Sequence, residues 1–143
     1  MTDAHAGVSP LSVKGVLFRD ARVCLLKNER QEWELPGGRP EPDESDQVAL
    51  SREIEEELGL LVTVQERLGS WRYEPLPGRQ VRIRAYRCQE VVGGVEQISS
   101  EHLVARWFAP DELTRIPLPA CYGEAIERAR QVQGRSSRSG GTL

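Results

Sequence analysis

Two apolar runs near the N-terminus predict a β-hairpin. Val13–Phe18 and Arg22–Lys27 are rich in β-branched and aliphatic side chains, and the short segment Arg19-Asp20-Ala21 separates them as a turn. Both runs are apolar at successive positions, whereas a strand with one solvated face would alternate. We therefore expect two strands that are covered on both faces, preceded by a polar, flexible N-terminus over residues 1–12.

The later strands are less uniform. The remaining segments predicted as strands are Trp33–Leu35, Leu61–Val64, Leu68–Tyr73, Gln80–Cys88 and His102–Phe108. Alternation is clearest in Gln80–Cys88, where one face carries Val81, Ile83 and Ala85. The other face carries Arg82, Arg84 and Tyr86. Two arginines beside an aromatic ring would hold a phosphate and stack a base, or they form a solvated face of the sheet.

Two segments have the 3.6-residue apolar period of an amphipathic helix. The first contains Leu50, Ile54 and Leu58; it is expected to begin at Asp43 or Ser45 and to end at Gly59. The second spans Pro119–Val132. Gly134–Leu143 has the composition of a flexible tail, which leaves residues 13–133 as one domain. This order of elements is consistent with an α/β/α sandwich around a mixed β-sheet.

The first predicted helix carries a dense group of carboxylates at its C-terminal end. Glu53, Glu56 and Glu57 stand at i, i+3 and i+4, so at about 100° per residue they share one side of the helix. Like charges at these spacings repel, and a helix C-terminus disfavours further anions. A divalent cation would relieve both effects. Because carboxylate oxygens suit hard cations, the pattern predicts Mg2+, or Mn2+, rather than zinc.

The stretch Gly38–Leu60 resembles the Nudix box, the signature of the Nudix hydrolases. In that motif a Gly is followed after five residues by Glu, then after seven by Arg-Glu, an apolar residue, any residue, Glu-Glu, any residue, Gly and an apolar residue. The specified positions are all filled, by Gly38, Glu44, Arg52, Glu53, Ile54, Glu56, Glu57, Gly59 and Leu60. The preceding Trp33–Gly38 resembles the usual lead-in, while Asp43 stands where relatives often carry Gly.

The resemblance implies the Nudix fold and Mg2+-dependent hydrolysis of a phosphoanhydride in a nucleoside diphosphate linked to another group. Substrates of that form include nucleoside triphosphates, ADP-ribose-like compounds and dinucleotides; the short N-terminal segment favours triphosphates or small dinucleotide-type diphosphates. A catalytically silent nucleotide-binding sensor with the same fold is the alternative. Turnover requires a carboxylate near the metal-bound water to take its proton.

Several residues acquire expected roles from the resemblance. Glu53, Glu56 and Glu57 would bind the metal, and the carbonyl of Gly37 would also reach it. Glu44 is expected to pair with Arg52 and so to orient the ligating carboxylates. A further Glu outside the motif, Glu101 first and Glu96 second, would act as a metal ligand or general base; Glu57 and Glu101 both stay open as the base. The predicted substrate contacts are Arg39, Arg82, Arg84 and Tyr86.

Composition narrows the class of protein. The chain has 143 residues and a net charge of -3, which gives no electrostatic footprint for a nucleic acid polymer. Cys24, Cys88 and Cys121 are odd in number and widely spaced, so we interpret them as reduced core thiols of a cytoplasmic protein. No apolar run reaches the roughly 20 residues of a membrane span. We expect a small-molecule nucleotide partner, and a homodimer is compatible with the sequence.

Overall fold

The computed structural model describes residues 9–91 and 104–140, which form seven strands, two α-helices and one 3₁₀ turn. The strands are β1 (Leu11–Arg19), β2 (Arg22–Lys27), β3 (Trp33–Glu34), β4 (Gly37–Gly38), β5 (Val62–Leu76), β6 (Arg79–Glu90) and β7 (Val104–Phe108). The helices are α1 (Asp46–Leu58) and α2 (Ala120–Gly140), and the 3₁₀ turn spans Pro110–Arg115. In the described part of the chain, no helix has the length and apolarity needed to cross a membrane.

The strands form one mixed sheet in the order β3-β2-β1-β6-β5. At its centre β1 runs parallel to β6, with Leu11 opposite Arg82 and Leu17 opposite Cys88. On its other edge β1 pairs antiparallel with two strands: Val13 and Lys14 pair with β4, and Phe18 and Arg19 pair with β2. The predicted hairpin of the first two strands and the mixed sheet are therefore confirmed.

Helices cover both faces of this sheet, as the apolar runs predicted. Val13 and Leu17 of β1 pack with α1, in a cluster that includes Leu50 and Ile54. Val16, one position out of phase, packs with the α2 residues in the second cluster. Alternate side chains of one strand thus enter two different cores. The predicted α/β/α sandwich is confirmed.

Two predicted strands are one in the structure. Leu61–Val64 and Leu68–Tyr73 were expected to be separate, but β5 continues from Val62 to Leu76. Its pairing with β6 shifts register between Val64 and Arg67 and again between Arg67 and Gly69. The residues between the two predicted segments are therefore accommodated as bulges within one strand.

The second helix also extends further than predicted. It was expected to end at Val132, with a flexible tail from Gly134 onward, but α2 runs to Gly140. A glycine inside a helix costs about 1 kcal/mol relative to alanine, which is too little to end a helix that packing already holds. Gly134 therefore weakens α2 without terminating it.

Candidate active site

A glycine turn beside α1 organises the candidate site. Gly37 and Gly38 form β4, with Gly37 opposite Lys14 and Gly38 opposite Val13 of β1. Gly37 has φ +142°, and a Cβ there would lie 2.0 Å from the carbonyl oxygen of Val13. Only glycine fits this close approach between two backbones. The N–H of Gly37 is thereby directed at α1, where it donates a 2.8 Å hydrogen bond to Glu57 Oε1.

Local signals fix both ends of α1. Ser45 is the N-cap, and its hydroxyl accepts a 3.2 Å hydrogen bond from the N–H of Val48. Gly59 ends the helix in the left-handed region with φ +70°, and its N–H donates to the carbonyl of Glu55. Of the two predicted caps, Ser45 is confirmed. Asp43 has φ +74°, which is the left-handed conformation that glycine adopts most easily.

Arg52 is the centre of an ion-pair network on α1. Its Nε and Nη2 donate to the two carboxylate oxygens of Glu44, both at 2.8 Å. Its Nη1 lies 3.0 Å from Glu53 Oε1 and 3.4 Å from Glu56. The hydrogen bonds from Arg52, with one from the backbone of Glu41, lower the pKa of Glu44 to about 2. The predicted pairing of Glu44 with Arg52 is present, and it is bidentate.

Glu57 has a very different environment. Its side chain is buried, with 6 % of the residue exposed. Burial raises the pKa of this carboxyl to about 8, although the charge of Lys14 and the N–H of Gly37 act in the opposite direction. Neighbouring carboxylates Glu53 and Glu34 add to the increase. Glu57 is therefore a desolvated acid whose charged form would be stabilised by a nearby cation.

The three glutamates do not converge on one point as the helical spacing predicted. Within residues 9–91 and 104–140, no three Asp, Glu, His or Cys side chains form a group that could hold a metal ion. Glu57 is directed inward at Gly37, whereas Glu53 and Glu56 are directed at Arg52. The i, i+3, i+4 spacing places these side chains on one side of the helix, but their hydrogen-bond partners determine which rotamer each side chain adopts.

The donor chemistry of this face nevertheless fits a hard divalent cation. The candidate ligands are carboxylate and carbonyl oxygens, which Mg2+ and Mn2+ prefer. Gly38 leaves space for one of them, since a Cβ at this residue would lie 2.5 Å from Cδ of Glu53. Glu53 and Glu56 lie on the same side of α1 as Glu57, so these three carboxylates and the carbonyl of Gly37 are the oxygens that would hold such an ion.

The predicted substrate contacts have mixed outcomes. Tyr86 is buried in the α1 core and donates a 2.6 Å hydrogen bond to Asp46, so the prediction that its ring stacks a base is wrong. Arg84 donates to the same carboxylate at 2.7 Å. Arg82 donates to the carbonyl of Ser9. Arg39 lines a groove at the tip of the β5–β6 hairpin, next to the glycine turn.

Two further predictions and one omission concern the surroundings of the site. Glu101 and Glu96 lie outside the described residues. Lys14 was not singled out from the sequence, yet it is buried on β1, and its ammonium lies 5.9 Å from the ring centroid of Tyr122. The sequence did contain a signal for this residue, because Lys14 is a charged residue inside the apolar run that begins at Val13.

Comparisons with known proteins identify the family of this chain. A family model described as the NUDIX domain matches residues 8–129. The CTP pyrophosphohydrolase of Escherichia coli (strain K12) is 34 % identical over 111 residues, which cover 74 % of this chain and 80 % of that protein. The putative 8-oxo-dGTP diphosphatase 2 of Mycobacterium tuberculosis (strain ATCC 25618 / H37Rv) is 31 % identical over 136 residues, which cover 89 % of this chain and 93 % of that protein.

Solved structures show the same fold. The solution structure of the E. coli ORF135 protein superposes with a TM-score of 0.67 at 31 % identity, covering 92 % of this chain and 96 % of that one. The crystal structure of a UDP-X diphosphatase gives a TM-score of 0.75 at 24 % identity, over 88 % of this chain and 64 % of that one, which supports the fold alone. Since the family match covers most of the chain and includes the glycine turn and α1, the chain belongs to the Nudix hydrolase family.

Proposed function

We propose that this chain is a Mg2+-dependent nucleoside triphosphate pyrophosphohydrolase that releases a nucleoside monophosphate and pyrophosphate. The observation that carries the proposal is the polar face of α1, where Arg52 holds Glu44, Glu53 and Glu56 beside the buried Glu57. Three carboxylates share one arginine and the fourth is buried, so this arrangement does not serve stability well. Their arrangement suits a site that receives a cation together with a phosphate chain.

Glu53, Glu56 and Glu57, with the carbonyl of Gly37, are the residues that would hold the metal. A bound Mg2+ supplies charge neutralisation of the phosphates and lowers the pKa of a water molecule. Arg52 and Glu44 are positioning residues in this proposal, since the bidentate pair fixes the guanidinium from which Glu53 and Glu56 are oriented.

The hydrolysis itself is an in-line displacement by water. The water oxygen forms a bond to one phosphorus of the scissile phosphoanhydride, the bridging P–O bond to that phosphorus breaks, and the leaving phosphate group takes the bonding electron pair. The proton of the water passes to a carboxylate. Glu57 and Glu101 are the two candidates for this base. Because Glu57 is also a proposed metal ligand, Glu101→Gln at saturating Mg2+ is the informative variant, and its full activity would leave Glu57 as the base.

The choice of a triphosphate substrate is supported by two relatives. The E. coli protein is named for CTP and the M. tuberculosis protein for 8-oxo-dGTP, and both are nucleoside triphosphates. Each relative matches this chain over more than two thirds of its own length. The free, buried thiols of Cys88 and Cys121 support the further proposal that the enzyme works in the cytoplasm.

The test is a turnover assay with matched variants. The purified chain would be incubated with ribonucleoside and deoxyribonucleoside triphosphates, including CTP and 8-oxo-dGTP, with and without Mg2+, and pyrophosphate release measured. We expect Mg2+-dependent release that is reduced at least a hundredfold in Glu56→Gln. Glu55→Gln is the matched control, because Glu55 is the adjacent exposed residue and the charge change is the same.

Two outcomes would contradict the proposal. If no nucleotide is hydrolysed but several raise the melting temperature, the chain is the silent nucleotide-binding sensor. If Glu55→Gln and Glu56→Gln lose activity equally, the position of the carboxylate on α1 does not matter and the metal assignment fails.

A further inference from the structure

A group of arginines on the β5–β6 hairpin is separate from the polar face of α1. Arg72 on β5 lies directly opposite Arg82 on β6, and Ser70 lies opposite Arg84. Like charges at directly opposed positions of an antiparallel pair are destabilising. Arg84 stands on the same side of β6 as Arg82, because side chains two residues apart share a face. Three positive charges are therefore brought together by the pairing of two strands.

The nearby carboxylates offset few of these charges. Asp46 accepts from Arg84 and Tyr86, and Glu74 accepts from Gly78 and Gln80 at the hairpin turn. Among the described residues, neither Arg72 nor Arg82 forms an ion pair with a carboxylate. In addition, Nε of Arg84 is buried and lacks a hydrogen-bond partner. Donors and positive charge are both in excess here.

These side chains line an open groove of about 340 Å³, together with Leu11 and Ser70. Tyr86 and Cys88 of β6 are covered by the α1 core, and Arg84 contacts Asp46, the first residue of α1. Arg82 precedes Arg84 by two residues on β6, so it lies beyond the N-terminal end of α1. The groove is the part of the sheet face that α1 leaves uncovered.

We propose that Arg72, Arg82 and Arg84 form a binding site for a phosphate group in this groove. A tetrahedral dianion would place its oxygens between opposed guanidinium groups, remove their mutual repulsion and accept hydrogen bonds from them. The phosphate is either free, as phosphate or pyrophosphate, or it belongs to the nucleotide substrate.

The groove lies close to the glycine turn, which favours the nucleotide substrate as the source of the phosphate. Arg82 is opposite Leu11 on β1, and Arg84 is opposite Val13, which on its other side pairs with Gly38. The groove therefore reaches the position on β1 that pairs with Gly38, and Gly38 is next to the carboxyl of Glu53. If the phosphate belongs to the substrate, one phosphate group would lie at the glutamate face and another in the groove.

The test is binding of inorganic pyrophosphate to the metal-free, full-length chain, measured by calorimetry in a buffer free of phosphate. Arg72 is exposed, so Arg72→Gln should fold normally, and we expect it to weaken binding about tenfold, as loss of a charge-assisted contact implies. Arg115→Gln is the control, since it removes an exposed arginine from the 3₁₀ turn with the same change in net charge. The proposal is overturned if wild type does not bind, or if the two variants weaken binding equally.

Steady-state kinetics of the same variant identify the source of the phosphate. If the groove holds part of the substrate, Arg72→Gln raises KM about tenfold while kcat is retained, and pyrophosphate competes with the nucleotide. If it holds free phosphate, KM does not change while pyrophosphate binding is still weakened. Because the binding measurement uses neither metal nor turnover, a protein without hydrolase activity would still test the arginine site independently of the proposed function.

Discussion

The backbone N–H of Gly37 donates a 2.8 Å hydrogen bond to the buried carboxyl of Glu57, a residue twenty positions further along the chain. This contact joins the glycine turn that leads into the Nudix motif to α1, the helix that carries the glutamates of the motif. It also holds an acidic side chain in a place from which water is largely excluded. The contact is compatible with either protonation state of Glu57, because the carboxyl accepts the hydrogen bond in both.

The stability of the metal-free protein should therefore fall as pH rises. The folded state keeps the Glu57 proton up to a pKa of about 8, whereas the unfolded chain releases it near the ordinary value of 4.5. Below pH 4.5 the acid is protonated in both states and contributes no difference, whereas above pH 8 the folded state carries a buried charge. We expect a loss on the order of a few kcal/mol across this window.

Glu57→Gln removes the ionisable group and keeps a side-chain oxygen that accepts the hydrogen bond from the N–H of Gly37. Urea unfolding of both proteins in EDTA at pH 5, 6.5 and 8 would measure the effect. The variant should be more stable than wild type at pH 8 and similar to it at pH 5. Parallel dependence on pH in the two proteins would show that Glu57 is not the group responsible.

Gly38→Ala should separate activity from stability. The added methyl would lie 2.5 to 2.8 Å from the carboxyl atoms of Glu53, which is the flexible end of a side chain. We expect Glu53 to move, with a loss of kcat on the order of a hundredfold and a change in unfolding free energy below about 1 kcal/mol. Pyrophosphate release and urea unfolding measure the two quantities.

Gly37→Ala is the contrasting variant. Its methyl would lie 2.0 Å from a backbone oxygen of Val13, and its φ of +142° is strained for any L-residue. Destabilisation of about 3 kcal/mol or more is expected. If Gly38→Ala were as unstable as Gly37→Ala, the space at Gly38 would serve packing and not the position of Glu53.

Arg52→Lys should impair turnover while it preserves charge. A lysine cannot make two parallel hydrogen bonds to Glu44 and also reach Glu53, because its donors radiate from one nitrogen. We expect kcat to fall roughly tenfold to a hundredfold with little change in KM, as is typical when the support of ligating side chains is lost. Steady-state kinetics measure both, with Arg115→Lys as the control. An unchanged kcat would mean that the bidentate geometry has no positioning role.

Tyr86→Phe should affect stability and leave activity intact. The variant removes the hydrogen bond to Asp46 but keeps the ring that packs under α1. A cost of about 1 kcal/mol is expected, since Asp46 still accepts from Arg84. Thermal or urea unfolding measures it, together with KM for a triphosphate. A large increase in KM without loss of stability would restore Tyr86 as a substrate contact.

The sequence predicted those features that depend on local pattern. Unbroken apolar runs identified β1 and β2 as strands covered on both faces, and Ser45 and Gly59 marked the ends of α1. The Asp43 position also carried a usable signal. Its departure from the usual glycine coincides with a φ of +74°, so the backbone keeps the conformation although the residue type has changed.

Features that depend on competing partners were not predictable in this way. Helical spacing places Glu53, Glu56 and Glu57 on one side of α1, but the N–H of Gly37 and the guanidinium of Arg52 determine where each carboxyl lies. Strand alternation correctly separated the faces of β6. It could not show how far α1 extends over the face that carries Arg82, Arg84 and Tyr86. The helix covers this face only as far as Arg84, so Tyr86 is buried and Arg82 lies outside the covered area.

The parallel pairing of β1 with β6 has a consequence for how the molecule folds. The β5–β6 hairpin and α1 are contiguous segments that can form early, but β1 must find a partner about seventy residues away, and closure of so long a loop is slow. The glycine turn is held in place by β1. We therefore expect the groups that would bind a cation and a nucleotide to come together only after this long-range pairing has formed, so that a partly folded chain would bind neither.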